Sequence, residues 1–362
     1  MLKFLNIFKK MDWLLLVAVF LLICFSLSSL YSLGLGQDKT FNLLNKQIIF
    51  SVLGIILMFV ISFFDYRWWK FLSVWLYFVS IILLILVLFF GKTLGGTTGW
   101  FVLGNFSFQP VELAKLFVII FLSRSFTKWI NEKYQVSLWL KSFFIILPVC
   151  LLILIQPDFG SMAVIFSIWI LMLILTGVKK KHILIFFLII LITAIFSWQF
   201  LLLDYQQDRI LTFINSDIDP LGTGYNVHQS MIAVGSGGIW GRGLGLGTQS
   251  QLHFLPISEA DFIFASISEE LGFVGIIVIF VLYFIFFYRL FKIMCGIKDD
   301  FGLFLIFGLS AMFFVQVVIN IGMCVGILPV TGLPLPFVSY GGSFLIISLI
   351  SIGIIQSVKM RN

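Results

Sequence analysis

Two charged residues lie three positions apart in an apolar run that begins at Pro110. A helix starting there would place Glu112 and Lys115 on one face, inside the apolar zone. Buried charges in such a helix are costly, and they mark either a functional site or an ion pair that locks two helices together. The sequence by itself leaves both interpretations open.

A carboxylate, Asp261, stands at the head of a second long apolar run, directly after the segment from Phe254 to Ala260. A positioned carboxylate can act as a general base. An Asp at this place could equally do no more than cap the helix that follows.

Two further polar segments interrupt the apolar sequence. In Gln156-Pro-Asp158-Phe-Gly-Ser161 the proline and glycine prevent a continuous helix, and an ordinary turn is the simplest interpretation. The glycine-rich run from Gly235 to Gly247 contains one cation, Arg242. It lacks the GxxxxGK[ST] spacing and no strand precedes it, which excludes a P-loop or a Rossmann motif. It predicts a flexible backbone whose amides could cradle a diphosphate together with Arg242.

The elements that must position these residues follow from the composition, which is 61% hydrophobic and 11% charged. Lipid must be the main solvent of such a chain. A span needs about 20 apolar residues. The sequence predicts an all-α polytopic membrane protein, one domain over residues 1–362, with about ten spans at Trp13–Leu30, Ile48–Phe64, Phe71–Phe90, Pro110–Leu122, Phe143–Ile155, Met162–Thr176, Ile183–Leu203, Phe262–Phe287, Phe301–Val325 and Phe344–Val358.

The distribution of basic residues predicts the orientation. If both termini are cytoplasmic, most of the 23 Lys and Arg residues fall in inner loops. The net charge of +7 is then a topology signal, and nucleic-acid binding is disfavoured. Met1–Leu30 has the form of a signal peptide as well as of a first anchor, and the nine later apolar segments favour an uncleaved helix.

Residues 204–262 leave the apolar regime and predict a large extracytoplasmic loop with amphipathic or re-entrant pieces. The four cysteines and three histidines show no disulfide, zinc or HExxH spacing, so no transition-metal centre is predicted. A divalent cation held by carboxylates stays open.

Several ordered motifs together resemble the SEDS family, the RodA/FtsW/SpoVE group of bacterial proteins. They cover nearly the whole chain and read Gln109-Pro-Val-Glu112 with Lys115, Gln156-Pro-Asp-Phe-Gly, Asp204-Tyr-Gln with Arg209, Asp219-Pro-Leu-Gly-Thr-Gly-Tyr-Asn-Val-His-Gln229-Ser, Gly247-Thr-Gln-Ser-Gln-Leu-His-Phe-Leu-Pro, Asp261-Phe-Ile-Phe-Ala, Asn320-Ile-Gly-Met, and Leu-Pro-Val-Thr331-Gly through Tyr340-Gly-Gly-Ser. Gly99, Val111, Ile257 and Glu259-Ala260 depart from the family pattern.

The resemblance implies a ten-helix SEDS-type glycosyltransferase fold in the bacterial cytoplasmic membrane. It implies an enzyme that polymerises lipid II, an undecaprenyl-diphosphate-linked disaccharide peptide, into peptidoglycan on the outer face. The implied partners are a class B penicillin-binding protein and other elongation-machinery membrane proteins. The motifs around Gly247 and Thr331 resemble the elongation type, RodA, and a division-type polymerase is the nearest alternative.

For the site, the resemblance implies an inverting transfer with Asp261 as the catalytic base. Lys115, Arg209 and Arg242 would neutralise the diphosphate, with a Mg²⁺ or Mn²⁺ ion as an open addition, and Glu112 would hold Lys115 in place. Trp100 and the segment ending at Gln229 would face the sugars, although an interfacial anchor is as good an explanation of Trp100.

Two other classes of function compete. Polar intramembrane pairs and broken helices also occur in transporters, so a lipid II flippase is the main alternative. A non-catalytic scaffold for a transpeptidase is the other, and the Asp261 motif argues against it.

Overall fold

The structure is a computed structural model that describes residues 8, 10–35, 38–94, 96–104, 106–130, 135–177, 223–252, 254–255 and 257–362. Within these residues it contains eleven helices and a small sheet. The elements are α1 (Trp13–Gly34), α2 (Asp38–Phe63), α3 (Arg67–Phe90), β1 (Lys92–Leu94), β2 (Thr97–Leu103), β3 (Phe106–Phe108), α4 (Pro110–Trp129), α5 (Gln135–Ile155), α6 (Phe159–Leu175), α7 (Thr223–Ser236), α8 (Thr248–Gln251), α9 (Ile263–Cys295), α10 (Asp300–Cys324) and α11 (Gly342–Arg361).

Seven described helices, α1, α2, α3, α5, α9, α10 and α11, are long and apolar enough to cross a membrane. The predicted multi-pass, mostly helical fold is therefore confirmed. Two further predicted spans correspond to helices outside these seven. Pro110–Leu122 corresponds to α4, which carries four charged residues, and Met162–Thr176 corresponds to α6, an apolar helix of 17 residues. The predicted span Ile183–Leu203 lies outside the described residues.

Several helices begin at an aspartate because their first backbone N–H groups need acceptors. Asp12 accepts from Leu15 N at the start of α1. Asp158 does the same for Ser161 N at α6. Asp299 accepts from Gly302 N at α10. These caps fix where the chain turns back into the bundle.

The helices pack around a common core. α11 lies against α2, α4 lies against α3 and α10, and α9 lies against α1 and α7. The loop between α10 and α11 re-enters this core, because Phe337 has no exposed surface and its ring packs 5.3 Å from Phe313 and 5.6 Å from Phe286. The Tyr283 hydroxyl donates to Pro336 O at 2.5 Å, which satisfies a carbonyl of the buried loop.

The start of α1 and the end of α11 lie at one end of the bundle, here called the terminal end, opposite Asp261. Asp12, just before α1, exchanges hydrogen bonds with Gln356 in the last helix. It also accepts two from Arg289, near the end of α9. Asp261 precedes the first residue of that same helix.

A three-stranded antiparallel sheet in the order β1-β2-β3 connects α3 to α4. The sequence analysis did not predict it, because strands of three to seven residues lie below the length on which a span search depends. The sheet pairs Lys92 with Trp100 and Phe101 with Phe108. It delivers the chain to Pro110, where α4 begins.

Candidate active site

The backbone carbonyl of Asp261 is held by hydrogen bonds from α10, whereas its carboxylate accepts none from the described residues. Asn320 Nδ2 on α10 donates to Asp261 O at 2.9 Å, and the Cys324 thiol approaches the same carbonyl at 3.7 Å. Helix α9 begins after Phe262 with no side-chain cap. The cap interpretation of Asp261 is therefore wrong, and among the described residues no side chain or amide donates to its carboxylate.

The environment of Asp261 favours its neutral form. Burial and, to a lesser extent, the nearby Glu259 carboxylate together raise the pKa of this carboxyl from 3.8 to about 6. A carboxylate with a pKa of about 6 is still ionised at neutral pH but holds a proton more strongly than an ordinary Asp. Those are the properties of a general base that works near neutral pH.

The re-entrant loop fixes the chain on both sides of this residue. Ser339 Oγ donates to Ala260 O at 2.6 Å, and Tyr340 N donates to Glu259 O at 2.9 Å. Asn320 Nδ2 also donates to Leu333 O at 2.7 Å, so one amide ties the Asp261 backbone to the loop. The sequence analysis gave no role to Asn320, although a buried Asn in an apolar helix is a signal that could have identified it.

The Glu112 and Lys115 side chains form the predicted pair. Lys115 Nζ lies 2.7 Å from Glu112 Oε1, and the two side chains are 0% and 4% exposed. The Lys115 ammonium also lies 5.9 Å from the centre of the Phe344 ring at the start of α11. Of the ion pairs among the described residues, this one is the most deeply buried.

Asp158 connects this pair to the turn before α6. Its carboxylate caps α6, accepts from Gln109 Nε2 at 3.5 Å, and lies close enough to Glu112 to interact electrostatically. Gln156 in the same turn is buried and donates to Leu84 O at 3.2 Å. The turn that sequence analysis treated as ordinary therefore adjoins the buried charges.

The segment from Thr331 to Leu333 brings the two halves of the site together. A Cβ built on Gly332 would lie 3.5 Å from Asp261 Oδ2, and one built on Gly160 would lie 2.7 Å from Thr331 O. Gly160 follows Asp158 in the turn before α6 by two residues. The Thr331–Leu333 segment therefore contacts both Asp261 and the start of α6.

The other predicted residues are less closely joined to this centre. Trp100 is half-buried on β2. A Cβ built on its neighbour Gly99 would lie 3.4 Å from Gln156 Oε1, so strand alternation directs Trp100 to the opposite face of the strand. Gln229 is half-buried on α7, beside Ser230, whose hydroxyl donates to Cys324 O at 2.8 Å. Arg209 lies outside the described residues.

Arg242 is exposed, and its Nη1 donates to Thr248 Oγ1 at 2.8 Å. It forms no ion pair with a described carboxylate. The glycine-rich run around it differs from the prediction, because several of its amides already donate to α9, and Gly245 N donates to Ser32 Oγ at 2.6 Å. Those amides are not open to a diphosphate.

Carboxylates dominate the polar chemistry at this end of the bundle. Among the described residues, no group of three or more His, Cys, Asp or Glu side chains could hold a metal ion. A divalent cation at Asp261 and Glu259 would therefore need most of its oxygen ligands from phosphate or water.

Fold and site together define a multi-pass membrane protein with a buried ion pair and with a carboxylate that receives no hydrogen bond from the described residues. The family model for FtsW, RodA and SpoVE, described as cell cycle protein, matches residues 8–362. The chain belongs to this family.

Relatives and solved structures agree with this assignment. The chain is 38% identical over 325 residues to the peptidoglycan glycosyltransferase MrdB of Escherichia coli K12, covering 89% of this chain and 86% of MrdB. It is 36% identical over 353 residues to stage V sporulation protein E of Bacillus subtilis 168, covering 96% and 94% of the two chains.

Among solved structures, a chain of a peptidoglycan synthase complex, studied for the coordination of polymerization and crosslinking, matches with a TM-score of 0.82 and 34% identity over 96% of this chain and 97% of that one. The crystal structure of Thermus thermophilus rod shape determining protein RodA matches with a TM-score of 0.71 and 29% identity, over 96% of each chain.

Proposed function

We propose that this chain is a peptidoglycan glycosyltransferase that polymerises lipid II into β-1,4 glycan strands at the outer face of the bacterial cytoplasmic membrane. The observation that carries the proposal is the Asp261 carboxylate, which has no described hydrogen-bond donor and a pKa raised to about 6. The similarity to MrdB, whose name states this activity, supports it.

In the proposed reaction Asp261 takes the proton from the 4-hydroxyl of the acceptor sugar as that oxygen attacks the anomeric carbon of the donor. The bond from that carbon to the lipid diphosphate breaks, and the diphosphate leaves with the electron pair. One displacement inverts the α-linked donor to a β-linked product, so no covalent intermediate is needed.

The leaving diphosphate needs positive charge more than a proton donor. Lys115 supplies a buried cation held by Glu112 at 2.7 Å, and Arg242 supplies an exposed one. Arg209 is assigned the same role on the sequence motif. Trp100 and Gln229 are assigned to sugar contacts, and both are accessible enough to make them. A Mg²⁺ or Mn²⁺ ion bound through the diphosphate would add to this charge.

We place both termini in the cytoplasm. The end of the bundle that carries the termini also carries Arg67, Lys70, Lys292, Lys359 and Arg361, as the positive-inside rule requires. In this orientation Asp261 faces outward, where the lipid II headgroup would lie; the first part of the predicted loop 204–262, residues 204–222, lies outside the described residues.

We further propose a class B penicillin-binding protein as the partner, together with other membrane proteins of the elongation machinery. The match to a chain of a peptidoglycan synthase complex supports a partner of this kind. The role in elongation rests on the RodA-like motifs at Gly247 and Thr331, and a division-type role is the alternative.

The test is polymerisation of lipid II by the purified protein with a transpeptidase partner in nanodiscs, followed on a gel. We expect glycan polymer from the wild type and a loss of about 10²-fold or more in Asp261→Asn, since general-base catalysis contributes that much. The matched control is Asp300→Asn, an exposed Asp at the opposite end, which should polymerise normally.

Equal polymerisation by wild type and Asp261→Asn would refute the role of Asp261. No polymer from the wild type, together with lipid II translocation in vesicles that survives Asp261→Asn, would favour the flippase instead.

A further inference from the structure

Helix α9 is broken at Gly272 by a loop from elsewhere in the chain. Gly272 has φ 62° and ψ −157°, values that only glycine adopts readily. The next two amides leave the helix ladder: Phe273 N donates to Gly238 O at 2.9 Å and Val274 N donates to Ile239 O at 3.2 Å. In an unbroken helix these amides would bond to the carbonyls four residues earlier.

Those earlier carbonyls are occupied by the same loop. Arg242 N donates to Glu269 O at 3.0 Å, and Gly243 N donates to Glu270 O at 2.9 Å. Residues 237–247, here called the glycine loop, thus replace two helical hydrogen bonds by four loop bonds. The break is an insertion of the loop into the helix, in which the freed amides of residues 273–274 and the freed carbonyls of residues 269–270 all find partners.

Close contacts explain why the loop is rich in glycine. A Cβ built on Gly237 would lie 1.9 Å from Ser268 O, and one built on Gly241 would lie 2.1 Å from Glu270 O. From the helix side, a Cβ on Gly272 would lie 2.3 Å from Gly241 N. No larger residue fits at these three positions while the loop is inserted.

Two carboxylates of α9 hold the glycine loop, one through the residues of α8 directly after it and one through Gly245 inside it. Glu269 has no exposed surface and accepts from Gln249 N at 2.8 Å, Ser250 N at 3.1 Å, Ser250 Oγ at 2.9 Å and Thr248 Oγ1 at 3.2 Å. Four donors satisfy this buried carboxylate without a described cation.

Glu270 extends the connection to the first helix. It accepts from Ser32 Oγ on α1 at 2.7 Å and from Gly245 N at 3.2 Å. The segment Ile263–Leu271 is therefore fixed from two directions, and Asp261 lies just before its first residue.

We propose that the inserted glycine loop sets the direction of segment Ile263–Leu271. Glu269 is the positioning residue: it keeps the loop inserted and thereby keeps the Asp261 carboxylate at the right distance from the substrate. This inference rests on the proposed function, in which Asp261 is the base. If the loop leaves, Phe273 N and Val274 N can return to the Glu269 and Glu270 carbonyls, α9 straightens, and Asp261 is carried away from the Thr331–Leu333 segment.

The kinetic test compares Gly272→Ala and Glu269→Gln with wild type, using purified protein, its transpeptidase partner and lipid II. Gly272→Ala excludes the loop by its Cβ, and Glu269→Gln replaces an acceptor oxygen by a donor amide. We expect kcat to fall about 100-fold in each, with KM changed less than about twofold, because a base displaced by about 1 Å costs roughly that factor. The control is Gly296→Ala at the C-cap of the same helix, where a Cβ meets its nearest atom at an ordinary 3.5 Å.

Hydrogen exchange measured by mass spectrometry separates loop release from unfolding. In Gly272→Ala the amides of Arg242 and Gly243 should lose protection. Those of Phe273 and Val274 should keep it, because a straight helix bonds them to its own carbonyls. In Glu269→Gln, the amides of residues 249–250 should exchange faster, with α10 unchanged.

Normal kcat in a variant whose loop amides exchange freely would overturn the positioning role. A fall in kcat with unchanged loop protection would do so as well, since the loss would then have another cause. If the wild type makes no polymer, the proposed function fails, and the exchange pattern alone decides whether the loop insertion holds α9 bent.

Discussion

Carboxylates at the two ends of the helix bundle differ in the donors that hydrogen-bond to them. At the terminal end, the Asp12 carboxylate accepts hydrogen bonds from Arg289 Nε at 3.0 Å and from Arg289 Nη2 at 2.5 Å. Tyr66 donates to Asp299 at 3.1 Å at the same end. At the other end, Asp261 has no described donor, and Glu269 is satisfied by uncharged donors from α8, directly after the glycine loop.

The difference separates carboxylates that stabilise the fold from a carboxylate that is available for proton transfer. A bidentate arginine pair fixes helices firmly, because charge-assisted hydrogen bonds occupy both carboxylate oxygens. Backbone anchoring, as at Asp261, fixes the position of the residue while its carboxylate stays available. Substitutions at the terminal end should therefore change stability, and those at the Asp261 end should change catalysis.

The Glu112–Lys115 pair tests this separation most severely, because it is an ion pair at the reactive end. We expect Lys115→Met to lower the free energy of unfolding by about 3–5 kcal/mol, since Glu112 is left buried without its cation. Thermal unfolding in nanodiscs measures the loss.

The double variant Lys115→Met with Glu112→Leu should recover most of that stability, because a hydrophobic pair of similar volume avoids the desolvation cost. Polymerisation should stay absent if Lys115 stabilises the diphosphate. A stable and active double variant would show that the pair only locks helices.

The Asp12–Arg289 pair supplies the matching test at the other end. Arg289→Ala should lower the free energy of unfolding by about 2–3 kcal/mol, less than a fully buried pair would cost, since the Arg289 side chain is 20% exposed. The kcat of the folded protein should stay close to wild type. The control is Lys292→Ala, an exposed cation one turn further along α9. A large fall in kcat would connect the two ends and break the comparison.

Gln316, on the part of α10 nearer to Asp261, is a buried polar side chain that contributes no hydrogen bond to the fold. Its amide has no exposed surface and no hydrogen-bond partner among the described residues. Replacing an unpaired buried amide by an apolar side chain of similar shape removes a desolvation cost. Gln316→Met should therefore raise the free energy of unfolding by about 1 kcal/mol.

The neighbouring amide should behave in the opposite way. Asn320→Leu should lower the free energy of unfolding by about 1–2 kcal/mol, because its Nδ2 donates to both Asp261 O and Leu333 O. Thermal unfolding of the two variants side by side checks the contrast. A loss of stability in Gln316→Met would indicate that the amide holds internal water.

The sequence was sufficient for features that depend on local spacing. Apolar length located the seven described helices that can cross a membrane, and the three-residue spacing predicted the contact between Glu112 and Lys115. Helix ends were less well predicted, because charged residues end an apolar run without ending a helix. Helix α4 continues from Leu122 to Trp129 through Arg124 and Lys128, for this reason.

Features that depend on distant contacts were not predictable. The insertion at Gly272 joins residues about thirty positions apart, and nothing in the run Gly235–Gly247 indicates that a helix accepts it. The burial of Phe337 at φ 65° likewise follows from packing against two distant helices. The contacts of the Thr331–Leu333 segment with Asp261 and with the start of α6 depend on the re-entrant loop, so the sequence alone could name Asp261 and Asp158 without joining them.

The smallest expected effect concerns the acidity of Asp261. Its pKa is about 6, so activity should decline as the pH falls through 6 and the base becomes protonated. Glu259→Gln removes a negative charge that disfavours ionisation, so the pKa should fall. Because burial is the larger cause and stays in place, the acid limb of the kcat/KM profile should move to lower pH by less than about one unit.

Linkage gives the same variant a second readout. A carboxyl whose folded pKa lies above its unfolded value of 3.8 is less stable when ionised, so the folded state loses stability as the pH rises through 6. Glu259→Gln should lessen this loss, and Asp300→Asn should change neither the limb nor the stability slope. A limb that stays in place or moves to higher pH would mean that Glu259 does not act on Asp261, and the carboxylate at the reactive end would then owe its pKa to burial alone.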